Sequence, residues 1–424
     1  MNGYALSLPW RDPLAAFAPL AGEPHALLLH DGRNERARIF AAPDAVFQGE
    51  GRDAFEALAV SARTRGGMHA GLLGYDLAAA FERLPHLDTR WPPLAMGRYA
   101  CWAEFDRAAG RLVVHAPDRA GAEAFAAGLG EGMPDAPAVP SCTARWMPRW
   151  TPEMYLAAAR KARNYVHAGD VFQVNLSQGF DVELAAGDGP WPVFRRLCEH
   201  SPAPHAAYFC LGGDRVVVTN SPERFLRVRN RRVEARPIKG TRRRAADPCE
   251  DAALAAELAA SAKDRAENLM IVDLMRNDLS RVCAPGSVVV PRLCEVETYA
   301  NVHHLVSVVE GALAPERDVY DLLAASFPPG SITGAPKVRA MEIISELEAE
   351  PRGPYCGALG WIDGDGAMDL NVMIRTAALR RTGTGWRASL RSGGGIVADS
   401  DPQAEYEETL TKVSALRRAL GASA

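Results

Sequence analysis

The sequence predicts an α+β protein built on antiparallel sheets, and two features carry that reading. Strand-like runs come in meanders, joined by short turns at Asn230-Arg231, Asp363-Gly364-Asp365-Gly366 and Thr382-Gly383-Thr384-Gly385. Helical stretches fall between those groups of strands instead of alternating with single strands. With 424 residues, 48% hydrophobic and 24% charged, the chain can form two or three domains, or one large intertwined unit around a packed core.

Residues 1–117 read as an N-terminal α+β region. Its strand-like runs include residues 26–30, ahead of Asp31-Gly32, and residues 71–75. Glycines at 71 and 74 suit a strand packed closely on other backbone. Residues 118–150 read as a linker, richest in Pro and Ala at 133–140. Residues 151–424 follow, opening with a helix. Thr151 is its N-cap, Pro152 its first position and Gly169 its end, with Tyr155, Ala159, Ala162 and Val166 forming the apolar stripe. Strands are expected at 225–228 and 232–236, at 356–362 and 367–379, and at 386–391.

A net charge of −4 leaves no nucleic-acid footprint. The arginine-rich stretch 227–244 is the exception, read either as a solvated hairpin tip or as a partner surface. No apolar run approaches the roughly 18 residues of a membrane span. Residues 1–9 lack the basic start and apolar core of a secretory signal. The 8 cysteines form no Cys-x-x-Cys pair. That argues against zinc and a disulfide framework, and fits reduced thiols in a cytoplasmic protein.

Several constellations could carry chemistry. Glu223 and Lys239 lie symmetrically about the Asn230-Arg231 turn. Opposed across a ladder, with backbones about 5 Å apart, they could act as proton donor and nucleophile, or form a salt bridge. Asp264 with Glu267, and Glu405 with Glu408, share i, i+3 spacing at helix starts. Two such helix faces could bring four carboxylates to one cavity, which suits magnesium; acids answering a helix dipole would look the same. Lys412 lies one turn beyond Glu408, within reach of it or of a substrate carboxylate.

Residues 330–337, Gly-Ser-Ile-Thr-Gly-Ala-Pro-Lys, precede a helix striped with Val338, Met341, Ile344 and Leu347. Amides at such a glycine-rich helix start bind carboxylates or phosphates, although the P-loop ending is missing. Gly393, Gly394 and Gly395 offer a second bare backbone. Tyr355 and Arg375 are symmetric about the Asp-Gly turn, and Arg375 and Ser392 about the Thr-Gly turn. They would line one row across three strands, where Arg375 could grip a carboxylate or belong to a buried ion pair.

Taken in order, these segments resemble the chorismate-utilising enzymes, and within them those that aminate ring carbon 4. The resemblance runs through residues 151–424 in Ser221-Pro222-Glu223-Arg224-Phe225, 237–241, 261–269 with 273–278, His304-Leu305-Val306-Ser307, 330–348 and 393–399. Residues 27–30 and 74–77 match more loosely. It implies an anthranilate synthase component I-like chorismate-binding fold, two large antiparallel β-sheets packed as a sandwich with flanking helices. It implies Glu267 and Glu408 as direct Mg2+ ligands, with Asp264 and Glu405 nearby or acting through water. Tyr355, Arg375, Lys412 and the amides of Gly393, Gly394 and Gly395 would hold the two chorismate carboxylates. Thr333 and Gly334 would close the pocket, and His304 would sit near the leaving hydroxyl. Glu223 would be the general acid and Lys239 the covalent nucleophile.

Members of that family that activate water carry a lysine where this chain has Gln173, which disfavours isochorismate or salicylate formation. Those that aminate ring carbon 2 carry alanine in place of Lys239. No cysteine lies in a Gly-x-Cys-x-Gly elbow, so ammonia is expected from a separate glutaminase subunit. A silent chorismate-binding regulatory subunit is the alternative of another class, and the intact Glu223, Lys239 and four acids speak against it.

Overall fold

The computed structural model describes residues 3–85, 89–132, 144–299, 302–383 and 385–422. Among them the strands form two antiparallel sheets, one of 12 strands and one of 10. Each sheet has two apolar faces to bury, and layering satisfies both. Leu27, Phe40, Phe209 and Val217 of the first sheet pack on Met68, Leu72, Leu359 and Trp361 of the second, closing the sandwich. Outside the first sheet, Phe180, Val182, Leu379 and Leu390 lie under helices Pro190–His200 and Pro402–Ala419. Outside the second, Leu226, Val233, Val309 and Leu370 lie under Ala262–Ser280 and Val319–Ser326. This is the sandwich with flanking helices that the sequence implies.

Residues 1–117 contribute to both sheets. Leu27–His30 pairs with His205–Gly212 in the first, and Met68–Leu73 with Ala358–Ile362 in the second. Of the expected linker, 133–143 lies outside the described residues. The rest includes helix Arg119–Ala127 and strand Arg145–Pro148, which pairs with Gln173–Glu183.

Local expectations can be read directly. The helix Pro152–Ala168 has the Thr151 side chain accepting from Met154 N, and Gly169 closes it at φ 83°. Asn230 and Arg231 both take positive φ, 49° and 62°, as a two-residue hairpin turn requires. Thr384 of the Thr-Gly turn lies outside the described residues. The arginine-rich stretch is exposed at its hairpin tip, Arg229 to Arg232, as expected; beyond it Arg236 pairs with Glu297, Arg242 with Glu257 and Asp264, Arg243 with Glu250, and Arg244 with Asp251.

Two neighbouring connections position the site. Arg215–Ser221 ends in the first sheet and Arg224–Arg229 begins in the second. Beside it, Met368–Val372 of the second sheet continues as Thr376–Thr382 of the first. The pair crosses together. Ser221 Oγ donates to Val372 O at 2.6 Å and accepts from Glu223 N at 3.1 Å, while Asn220 N donates to Arg375 O at 3.0 Å.

The crossing corrects the expectation of one strand over 367–379 and of a flat row through Tyr355, Arg375 and Ser392. Ladder registers run as expected, with Ala358 opposite Val372 and Ala377 opposite Leu390. Layers of a sandwich are about 10 Å apart, however, so a strand serving both must leave its ladder between them. Arg375 sits in that gap at φ 55°.

Gly71 tests the closeness of the second sheet. Its φ is 149°, and an added Cβ would lie 2.2 Å from Ala95 O. Gly71→Val is expected to lower stability by more than about 2 kcal/mol in urea denaturation; a wild-type midpoint would contradict this packing.

Candidate active site

Glu223 lies on the first crossing connection and is 6% exposed. Lys239 lies on strand Ile238–Arg243, which pairs with Val302–Ala312 after a break at Arg236-Pro237. Their meeting does not come from the expected hairpin symmetry. Arg229 faces Arg232 and Arg227 faces Glu234, so continuing that register would set Glu223 against Ile238. Lys239 Nζ donates to Ser331 O at 3.1 Å, and Ser331 and Glu223 line the same small cavity. Burial raises the proton affinity of Glu223, against the pull of Ser331, Lys239 and Arg375. Burial also pushes Lys239 towards the neutral amine, with Lys412 adding to the effect and Glu267, Glu223 and Glu408 opposing it. A raised proton affinity on an acid and a lowered one on an amine are the directions that favour proton donation and nucleophilic attack.

The four acids arrive on two helices. Ala262–Ser280 carries Asp264 and Glu267, and Pro402–Ala419 carries Glu405 and Glu408. Two are already occupied: Asp264 meets Arg242 at 3.3 Å, and Glu405 accepts from Ser400 Oγ at 2.7 Å. Glu408 pairs with Lys412 at 2.5 Å. Among the described residues Glu267 has no hydrogen bond or ion pair. Burial raises it above the usual carboxylate range; Lys239 and Lys263 oppose the rise, and Asp264 and Glu408 add to it. Burial would raise Glu408 as well, but Lys412, with Lys263 and Lys239, holds it below that range.

No three acidic, His or Cys side chains among the described residues converge as a ready metal cluster. The donor set fits magnesium in another way. Glu267 and Glu408 influence each other's charge, and two direct carboxylates with water or substrate oxygens are enough for that ion.

Arg375 is the second group without a partner. Its guanidinium makes no hydrogen bond or ion pair among the described residues, although Tyr355, Glu408 and Glu223 surround it. Burial lowers its proton affinity and those three raise it. Its open fork suits a carboxylate. Tyr355 is buried beside Cys356 and Arg352, and its hydroxyl holds its proton firmly.

His304 pairs with Thr241 across the ladder, its Nδ1 2.9 Å from Thr241 Oγ1. Burial and Arg375 favour its neutral form, against Glu297 and a bond to the Gly240 backbone.

The two glycine stretches differ from the expected open backbone. Gly334–Ala335 is an edge strand on Gln173 and Val174, and the helix begins only at Lys337. Thr333 spends its hydroxyl on Pro329 O and Gly330 O. A Cβ on Gly393 would lie 2.2 Å from Leu176 O, and one on Gly395 1.9 Å from Gln173 Nε2, so protein fills both places. Gly394 faces Glu405 and Lys412, and Lys412 Nζ donates to Gly393 O at 3.1 Å. Ser331 and Lys263 also reach this region, and in the sequence their signal lies only in standing beside Gly330 and Asp264.

A fold of this kind, with acid, amine and carboxylates meeting where the sheets exchange strands, defines a class of enzyme. The description of the chorismate binding enzyme family matches residues 24–418, and the chain belongs to that family. Among individual relatives, aminodeoxychorismate synthase component 1 of Klebsiella aerogenes is 40% identical over 96% of this chain and 97% of its own length. Anthranilate synthase component 1 of Streptomyces coelicolor is also 40% identical, over 83% of this chain and 73% of its own. The crystal structure of anthranilate synthase component I from Streptococcus pneumoniae superposes with a TM-score of 0.78 at 30% identity, covering 90% of this chain and 92% of that one.

Behind the site a buried network fixes its frame. Glu348, at the end of helix Lys337–Glu348, accepts from Arg352 at 2.7 Å and Arg391 at 2.9 Å, and from Ser177 N and Oγ at 2.8 and 2.9 Å. Burial alone would raise Glu348; the two arginines outweigh it and hold the carboxylate below its usual range. Glu348→Ala leaves buried Arg352 without its acid and Arg391 with only Glu350 at 3.2 Å, an expected cost of about 3–5 kcal/mol in urea unfolding. Because the folded-state value is depressed, the stabilisation is complete above the ordinary Glu value of about 4.3 and fades as pH falls through the lower folded value. Acid unfolding of wild type and variant should therefore converge at low pH. Parallel curves would show that Glu348 carries no such linkage.

Proposed function

We propose that this chain is a 4-amino-4-deoxychorismate synthase component I, a cytoplasmic enzyme that aminates chorismate at ring carbon 4 on the way to para-aminobenzoate and folate. The observation that carries the choice is Lys239, an amine pushed towards neutrality beside a proton-retaining Glu223. Relatives named for aminodeoxychorismate synthesis cover nearly the whole chain and support the same reading. Magnesium, held by Glu267 and Glu408 with Asp264 and Glu405 behind them, supplies charge neutralisation to a dianionic substrate.

Arg375 grips one substrate carboxylate, and Lys412, Tyr355 and the backbone at Gly394 help hold the pair. Thr333 and Gly334 close the wall, and His304 stands near the departing group. Glu223 gives its proton to the C4 hydroxyl, which leaves as water, while Lys239 forms a bond to ring carbon 2 through the conjugated system. Ammonia from a separate glutaminase subunit then attacks ring carbon 4 and the C2–Lys239 bond breaks. The ring gains an amino group and loses a hydroxyl, and Lys239 is regenerated.

Anthranilate synthase component I is the second reading, favoured by relatives of equal identity over a smaller share of the chain. Chorismate, magnesium and ammonium salts decide between them. The expected product is non-fluorescent aminodeoxychorismate, convertible to para-aminobenzoate by an added lyase; fluorescent anthranilate would establish the rival. Lys239→Ala should reduce aminodeoxychorismate formation by at least about a hundredfold, some 2.7 kcal/mol of barrier, and abolish any covalent adduct seen by mass spectrometry. Wild-type turnover by that variant would end the nucleophile role, and no turnover by any form would favour a silent subunit.

A further inference from the structure

One face of the first sheet borders a cleft of about 510 Å³, lined also by Trp91 and residues 350–355. That volume lies within the roughly 300–1,000 Å³ of small-ligand sites. Alternation decides which side chains face it. Leu379 and Leu390 pack towards the outer helices, so Arg380, Arg387 and Ser389 point the other way, into the cleft. Six arginines line the space against two acids, Asp181 and Glu350. Four of the six are answered by carboxylates. Arg149 meets Asp181 and Glu350, both at 2.9 Å, and Arg387 meets Glu183 at 2.5 Å. Arg352 and Arg391 share Glu348. The other two, Arg90 and Arg380, are exposed and have no hydrogen bond or ion pair among the described residues.

Arg380 stands in a row of like charge. Across its ladders it lies directly opposite Arg215 on one side and Arg387 on the other. Like charges so opposed destabilise a sheet. Glu183 relieves Arg387, and Asp214 stands 3.8 Å from Arg215, but Arg380 has no such acid. The row therefore leaves a free guanidinium fork at the edge of a cavity, and such a fork suits bidentate binding of a carboxylate.

We propose that this cleft binds a small organic acid, its carboxylate taken by Arg380 beside Arg387 and its body lying against Trp91 and Pro354. Arg90 adds positive charge to the same space. The cleft is distinct from the proposed substrate cradle. Arg375, Lys412 and Gly394 do not line it, and Tyr355 is the cradle residue that does, among the described residues. The inference concerns binding alone and does not depend on which chorismate reaction the enzyme performs.

Titration calorimetry of the full chain with phthalate, a ring carrying two carboxylates, tests the proposal, with inorganic phosphate as the bare anion. Phthalate is expected to bind wild type, and Arg380→Ala to weaken that binding about tenfold, in line with lost hydrogen bonds between charged groups. Arg33→Ala, which removes an exposed arginine outside the lining of the cleft, should leave it unchanged. Thermal unfolding gives a second readout. Without anion, Arg380→Ala should melt no lower than wild type, because it relieves the opposed charges; added phthalate should raise the melting temperature of wild type more than that of the variant. Equal binding by wild type and Arg380→Ala overturns the proposal, as does equal weakening by Arg33→Ala. Absence of phthalate binding overturns it too, and phosphate binding in that case would reduce the cleft to a simple anion site. Arg380 lies outside the acid–nucleophile pair, so inactivity towards chorismate would count against the proposed reaction and leave this inference standing.

Discussion

Two adjacent strands pass from one sheet to the other side by side, and the active residues stand where they do because of that crossing. Sheets about 10 Å apart cannot share a ladder, so the chain between them must find other partners for its backbone. Ser221 supplies them by bonding Val372 O and Glu223 N, and Asn220 N takes Arg375 O. The backbone at Glu223 and Arg375 is thereby held without belonging to a strand interior. Their side chains are free to face the space between the ends of the sandwich, where Ile238–Arg243 brings Lys239. The residues proposed as general acid and as carboxylate-binding arginine thus come from the same structural event.

That event needs a firm support, and Glu348 provides it. Its carboxylate ties the end of one helix to Ser177 on Gln173–Glu183, to Arg391 on Gly385–Ile396, and to Arg352 on the loop leading to Tyr355. Gly393 lies two residues past Arg391 and Tyr355 three past Arg352, so the network controls both sides of the proposed substrate cradle. Burying three charges together is a weak source of net stability but a strong source of register, because any shift that breaks one pair strands the others.

What was legible in the sequence follows from these physics. Periodicity and capping are local, so the helix from Pro152, the Asn230-Arg231 turn and the ladder registers on either side of Asp363–Gly366 could all be read. The change of sheet at 373–375 could not be read, because a strand that continues and a strand that crosses share the same alternation. Lys239 and Glu223 could be paired for the wrong reason: hairpin symmetry suggested it, while the strand breaks at Arg236-Pro237 and Lys239 Nζ turns to Ser331 O. Glycines at 393 and 395 looked like bare backbone for a ligand, yet Leu176 and Gln173 already occupy their missing side chains. Composition marks a glycine but not what lies against it.

The charge inventory shows why the site is poised. Lys239, Lys263, Lys412 and Arg375 act electrostatically on Glu223, Glu267, Glu405 and Glu408, but few of them pair directly. Lys412 closes on Glu408, whereas Glu267 and Arg375 keep their hydrogen-bonding capacity open among the described residues. Leaving one acid and one cation unpaired in such a place costs stability, because each is partly desolvated without a direct contact in return. The same vacancy lets an incoming carboxylate meet Arg375, and an incoming cation meet Glu267, without first breaking a bond. Glu267 is also the leading charge holding the proton on Lys239.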